Sequence, residues 1–371
     1  MSKIRVLIID GAVVMRRLIS DEVSQDEELE IVGNAANGNI AMLMIERVSP
    51  DVVSMSIEMT AMDGMAVVEN IRSCYPHLPI ILFSTLSQHA AHDTLEALSR
   101  GAQDYVTIPT NSQRVAIVRQ RVQEELIPKI KSLCAKSSHS VLSAPDLSQE
   151  SVVPSDIPVG ETTQQARVDV LAIGVSTGGP NALAEVLSQF SKDFPVPIVI
   201  VQHMPPIYTH CLSERLSLKC AMPVQEGIAG RSLLPGHIWI APGDYHMTVV
   251  RKGSQVELAV NQGQQENFCR PSVDVLFRSV ARVFGHRTLA VLLTGMGKDG
   301  LRGCEKVRAK RGHILAQDEV SSVVWGMPGA VVHAGLADCV LPLSKMASEI
   351  QRRVQVKRPE STVRSCLTTS S

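Results

Sequence analysis

The chain has 371 residues, long for one hydrophobic core and comfortable for two. Its 36 Lys and Arg against 37 Asp and Glu leave a formal net charge of −1, so no nucleic acid and no anionic membrane surface is expected as a partner. The 8 Cys lack any C-x-x-C pair, which points to no metal site and no disulfide framework, and no apolar run approaches the roughly 18 residues of a membrane span.

The amino terminus meets Asp10 too early for a secretory signal, which places the protein in the cytoplasm with its thiols reduced. Residues 3 to 9, 51 to 55 and 79 to 83 are short apolar strands separated by helical patterns, a βαβ alternation that implies a parallel sheet. Between Cys134 and Arg167 the apolar periodicity stops in a stretch rich in Ser, Pro, Thr and Gln, which reads as a linker. The division expected is a first α/β domain over 1–125, a linker over 126–167, a second α/β domain over 168–355 and a flexible tail over 356–371.

In the second domain three apolar runs each lead to a residue that acyl transfer uses. Val170 to Val175 runs into Ser176, Pro197 to Gln202 into His203, and Leu289 to Leu293 leads to Asp299. As buried parallel strands they deliver a Ser, a His and an Asp to the carboxyl edge of one sheet, where open α/β sheets build their sites. Gly174-Val175-Ser176-Thr177-Gly178 fits the G-x-S-x-G elbow, with a strand before it and a helix expected from Asn181 to Phe190 after it. Gly179-Pro180 starts that helix, so free amides and the positive dipole end face Ser176. Each residue has a plainer explanation alone: a helix cap at Ser176, a structural His203, a cap at Asp299 ahead of Leu301 to Ala309. Three strand ends carrying the three types together outweigh three accidents. The order Ser, His, Asp also differs from the Ser, Asp, His of ordinary α/β-hydrolases. A phosphate cradle at Gly178-Gly179-Pro180 is a rival, disfavoured by the lack of a Gly-Lys-Ser/Thr ending.

Five segments in order then resemble the chemotaxis receptor methylesterases of the CheB type: Ile173 to Pro180, Ile200 to Pro206, Ile240 to His246, Arg270 to Asp274 and Leu292 to Gly300. The resemblance implies a receiver-like (flavodoxin-like) doubly wound parallel sheet joined to a second doubly wound α/β methylesterase domain. It also implies Ser176 as nucleophile, His203 as general base and Asp299 as the group orienting that base. Met296 resembles the backbone oxyanion donor and Thr177 flanks the nucleophile in the same pocket. Lys298 stands where many relatives carry Asn. The activity implied is hydrolysis of glutamate methyl esters on methyl-accepting chemotaxis receptors, with deamidation of receptor glutamines, and no metal or organic cofactor. A chemotaxis histidine kinase or adaptor is the further partner implied.

The first domain resembles a receiver at Val6 to Asp10, Met62-Asp63-Gly64, Ser84-Thr85 and Gly101 to Val106. Its phosphorylation chemistry is degenerate. Ser56 occupies the position of the acceptor Asp, Asp10 is followed by Gly11 rather than a second acid, and Ile108 replaces the Lys. A serine alcohol cannot form an acyl phosphate, and a hard cation needs charged oxygens. The expectation is a pseudo-receiver that serves as a packing or docking surface. Either the enzyme runs without receiver phosphorylation, or the chain is a catalytically silent chemotaxis adaptor.

Overall fold

A computed structural model describes residues 3–58, 64–108, 115–139 and 167–355. The expected linker beyond residue 139 and the tail from 356 lie outside the described residues, as do Met62 and Asp63 of the receiver motifs.

The first sheet contains Ile4–Ile9 (β1), Leu29–Ala35 (β2), Val52–Ser56 (β3), Ile80–Thr85 (β4) and Asp104–Ile108 (β5) in the order β2-β1-β3-β4-β5. Every pairing is parallel. Helices cover both faces, so the strands read as apolar runs: Val6, Leu7, Ile8 and Ile9 are all inaccessible to solvent. Burial of such a side chain stabilises by about 1.5–3 kcal/mol, and the central strands β1, β3 and β4 supply most of them.

The linker expected from residue 126 begins later. Helix Val115–Arg121 passes through a π turn, Val122–Leu126, into helix Ile127–His139. Leu126, Ile130, Leu133 and Cys134 are buried against β1, β3 and β4 residues such as Val6, Val52 and Ile81, so this segment belongs to the first domain's core.

The second domain contains Val170–Val175 (β6), Ile198–Gln202 (β7), Val224–Glu226 (β8), Ile238–Ile240 (β9), His246–Lys252 (β10), Gln255–Asn261 (β11), Thr288–Leu292 (β12), His313–Gln317 (β13) and Cys339–Leu341 (β14). Seven of these form one sheet in the order β14-β13-β12-β6-β7-β9-β8, and β10 pairs with β11 as a separate antiparallel ribbon. The large sheet is parallel throughout. From β6 the chain winds outward through β7, then returns to β12 on the other flank, so the strand order reverses between β6 and β12. A crevice opens beyond the carboxyl ends of strands at such a reversal. No helix among the described residues is long and apolar enough to cross a membrane.

The two domains share a packed boundary. Tyr208, at the start of helix Tyr208–Lys219, stacks on Tyr105 with ring centroids 4.8 Å apart and places its hydroxyl 2.7 Å from Ser84 Oγ and 3.0 Å from Thr85 O. Asn181 donates to Leu98 O at 2.7 Å, and Arg215 bonds Glu96 at 2.8 Å. The aromatic pair removes apolar area from water and the polar bonds fix its register.

Candidate active site

The register of β6 and β7 pairs Val175 with Gln202, so Ser176 and His203 leave neighbouring strands at the same level. Neighbouring strands lie about 4.8 Å apart, so the register alone sets the two residues side by side at the carboxyl edge of the sheet. His203 N–H donates to Val175 O at 3.2 Å, and Ser176 N–H donates to Thr294 O at 3.0 Å, so the β7 and β12 exits are both tied to β6. Gln202 adds a tie that the sequence reading missed: its Nε2 donates to Ser176 O at 3.0 Å and His203 O at 3.3 Å.

Glycine is required twice in the Ser loop. Gly178 has φ +79°, and a Cβ at Gly179 would stand 1.9 Å from Gln202 Oε1. The helix after it spans Gly179–Leu187 rather than Asn181 to Phe190, because Pro180 is accepted in the first turn, where its missing N–H costs nothing. Its free amides therefore start nearer Ser176 than expected.

Asp299 is 2 % exposed and its carboxylate is saturated with donors. Oδ1 accepts from Asn267 Nδ2 at 2.8 Å, Ser272 Oγ at 2.9 Å and Asp274 N at 3.2 Å. Oδ2 accepts from Val273 N at 2.6 Å and meets His203 Nε2 at 2.8 Å. Val273 and Asp274 open helix Val273–Phe284, so a helix amino terminus faces the carboxylate and favours its charge. Burial pushes the Asp299 pKa up, but the His203 hydrogen bond and charge, with the Val273 and Ser272 donors, bring it to about 2. Burial pushes His203 down, yet charge on Cys269 and the bond and charge of Asp299 outweigh it and hold the imidazole above the ordinary His range. Asp274, buried beside this pair, has its pKa raised by its own burial despite bonds from Gly303 N and Asn267.

With Nε2 committed to Asp299, Nδ1 is the remaining nitrogen of His203, and it meets Cys269 Sγ at 3.7 Å. Asn267, Cys269 and Asp274 were not singled out in the sequence; only the run Arg270 to Asp274 hinted at them. The donor atoms of His203, Cys269 and Asp299 lie within 4.8 Å of one another, but the Asp299 oxygens already receive five hydrogen-bond partners, which leaves that carboxylate poorly placed to hold a metal ion.

Thr294 to Gly300 forms the opposite wall. A Cβ at Gly295 would stand 2.9 Å from Ser176 Cβ, so this turn backs onto the serine and sets Met296 beside it. Gly295 to Gly300 also spells G-x-G-x-x-G between β12 and helix Leu301–Ala309, a nucleotide-phosphate pattern. The charged Asp299 inside the turn repels a pyrophosphate, which removes that reading.

The first domain reaches this site. Thr177 Oγ1 donates to Asp104 Oδ2 at 2.6 Å, Asp104 pairs with Lys129 at 3.0 Å, and Met296, Val323 and Val324 pack against the first domain's core. Ser56 ends β3 opposite Phe83, while Thr85 donates to Glu58 at 2.6 Å and Asp10 accepts from Ala12 N at 2.7 Å.

The family described as CheB methylesterase matches residues 171–350, and the response regulator receiver domain family matches residues 6–118. A protein named protein-glutamate methylesterase/protein-glutamine glutaminase from Trichodesmium erythraeum is 45% identical over 95% of this chain and 100% of its own. One of the same name from Nocardioides sp. is 43% identical over 97% of this chain and 98% of its own. Among solved structures, the CheB methylesterase catalytic domain of Thermotoga maritima is 38% identical, covers 50% of this chain and 99% of its own, and has a TM-score of 0.49. With two such relatives matched from end to end, this chain belongs to the CheB methylesterase family.

Proposed function

We propose that the chain hydrolyses glutamate methyl esters on chemoreceptors, and deamidates receptor glutamines by the same acyl transfer, through Ser176, His203 and Asp299. The observation that carries this is the His203–Asp299 pair held at the β7 and β12 exits beside Ser176. Ser176 Oγ attacks the ester carbonyl while His203 Nδ1 takes its proton. The oxyanion is held by backbone N–H groups, including that of Met296, at the amino end of helix Gly179–Leu187. His203 returns the proton to methoxide and methanol leaves. Water then attacks the acyl-enzyme, His203 again taking the proton, and glutamate is released with Ser176 restored. Asp299 accepts the Nε2–H throughout, which keeps the Nδ1 lone pair toward the serine. Thr177 lines the same pocket, and no step needs a metal or an organic cofactor.

The catalytic unit of this proposal is 168–355, and the first domain is a pseudo-receiver that rests on it. Its contacts with Thr177, Tyr208 and Met296 support a receiver that restrains the esterase. With Ser56 in place of an acceptor Asp, relief comes from a protein partner, a chemotaxis kinase or adaptor, that binds the receiver face. The receptor's cytoplasmic helices are the substrate.

The test is methanol release from methyl-labelled receptor membranes by full-length protein without any phosphodonor. Release that disappears in Ser176→Ala is expected. Equal release from both proteins refutes the serine assignment, and no release from either, with residues 168–355 alone also silent, favours a silent adaptor.

A further inference from the structure

The turn that carries Cys269 has a feature the mechanism does not use. Glu266 and Cys269 exchange two backbone hydrogen bonds, Glu266 N to Cys269 O at 3.1 Å and Cys269 N to Glu266 O at 2.9 Å. The two residues between them, Asn267 and Phe268, have φ of +52° and +62°. Positive φ at both central positions is the signature of a type I′ turn, whose usual occupants are Asn followed by Gly. Asn267 fits that rule. Phe268 breaks it, because a Cβ at positive φ is strained and a bulky side chain gains nothing there from the backbone.

Packing does not compensate the strain, since Phe268 is 97% exposed, the highest value among the exposed large apolar side chains of the described residues. Its two neighbours, in contrast, are anchored in the chemistry. Asn267 donates to Asp299 and Asp274, and Cys269 stands against His203 Nδ1. Phe268 is one residue from each, so its backbone is held at a fixed place on the lip of the active site and its ring projects from there. Arg278 braces the same turn through Glu266.

Two further exposed apolar side chains lie on loops laced to this one. Arg270 grips Asp244 through two nitrogens at 2.6 and 3.0 Å, and Asp244 N–H donates back to Arg270 O at 3.1 Å, which fixes Tyr245. A Cβ at Gly243 would stand 2.3 Å from Pro206 N, so that loop is pressed onto Pro205-Pro206-Ile207, the continuation of His203. Ile207 is 38% and Tyr245 39% exposed. All three protrude although the first domain is packed on the esterase.

We propose that Phe268, supported by Tyr245 and Ile207, binds an apolar side chain of the polypeptide that presents the glutamyl ester, and so determines which protein esters this enzyme accepts. The inference rests on the esterase reading and names how that site grips a macromolecular substrate. A methyl ester on a short side chain offers few atoms for binding. Contacts remote from the reacting carbon must supply the affinity, and a rigid aromatic ring at low conformational cost is suited to that. The polypeptide is a receptor helix with an apolar residue one turn from the modified glutamate, since positions three or four apart share a helix face.

The experiment compares full-length wild type, Phe268→Gly and Ser176→Ala on methyl-labelled receptor membranes and on N-acetyl-glutamate γ-methyl ester amide, with thermal melting alongside. Gly is the natural occupant of the second turn position, so the variant keeps the Asn267 and Cys269 anchors and melts no lower than wild type. Expected is a rise of about tenfold in KM for the receptor with kcat and small-ester kcat/KM unchanged. A receptor KM within about twofold of wild type overturns the proposal, as does a matching loss on both substrates, which would mark the turn as purely structural. Wild type that hydrolyses the small ester but not receptor esters refutes the receptor reading itself, and inactivity on both that persists in Asp104→Ala, where the first domain's hold on Thr177 is removed, refutes the esterase assignment.

Discussion

Replacing Asp299 by Asn tests the arrangement where it is most determined. Both carboxylate oxygens face donors only: Asn267, Ser272 and the Asp274 amide at Oδ1, the Val273 amide and His203 at Oδ2. An amide places its NH2 group at one of these ends. At the Oδ1 end it meets three donors; at the Oδ2 end it meets the Val273 amide and can be satisfied only by donating to His203 Nε2. That second orientation forces the proton onto Nδ1, the nitrogen that must accept from Ser176. A reversed tautomer costs roughly 10³–10⁴-fold in kcat, or about 4–5.5 kcal/mol. The donor conflict with Val273 costs a further ~1–3 kcal/mol of stability, and each kcal/mol lowers the melting temperature of a domain of this size by roughly 2–4 °C.

The pH profile gives the same test an independent readout. Asp299 lies at about 2, lowered by His203 and by the Val273 and Ser272 donors, and His203 lies above its usual range, raised by Cys269 and by Asp299. Because the imidazole must be neutral to act as base, the acid limb of kcat/KM in wild type is expected above about pH 6.5, the unperturbed His value. In Asp299→Asn the limb moves down. The stability the pair contributes follows the same signs. The His203 part is fully present below about 6.5 and fades as pH rises through its raised folded value, while the Asp299 part is present above about 3.9 and fades as pH falls through about 2. Methanol release across pH, with melting curves at each point, reads both. A variant within about tenfold of wild type, with its acid limb unmoved, refutes the assignment of Asp299 to the base.

Asp104→Ala removes the acceptor that holds Thr177 to the first domain. A hydrogen bond to a charged group contributes about 1.5–3 kcal/mol, so full-length Asp104→Ala is expected to release methanol about tenfold faster than wild type if the receiver restrains the site; an unchanged rate excludes restraint through this contact. Incubation with a labelled histidine kinase or acetyl phosphate is expected to leave the first domain unlabelled, and an acid-stable, alkali-labile phosphoryl group at unit stoichiometry would contradict the pseudo-receiver.

The legible parts of this protein are those in which local chemistry and burial coincide. Parallel strands covered on both faces must be apolar along their length, so β1, β6, β7 and β12 stand out as runs, and the residues just past them stand out by contrast. The end of the first domain lies beyond the expected residue 125 for a physical reason. The π turn Val122–Leu126 inserts an extra residue that shifts the apolar phase, yet the helix continues past it, with Ile130 and Leu133 buried.

Ser176, His203 and Asp299, the glycines that bend their loops and Ser56 at the end of β3 are written in the order of residues, because strand ends and tight turns are decided within a few positions. Their mutual geometry is not. Asn267, Ser272 and the helix beginning at Val273 come to Asp299 from 25 to 32 positions away, Gln202 ties Ser176 across 26, and Asp104 reaches Thr177 across 73. Side-chain hydrogen bonds carry no periodicity along a chain, so only the wound sheet, by setting which strand ends are neighbours, could decide which nitrogen of His203 meets Asp299 and which domain stands over the serine.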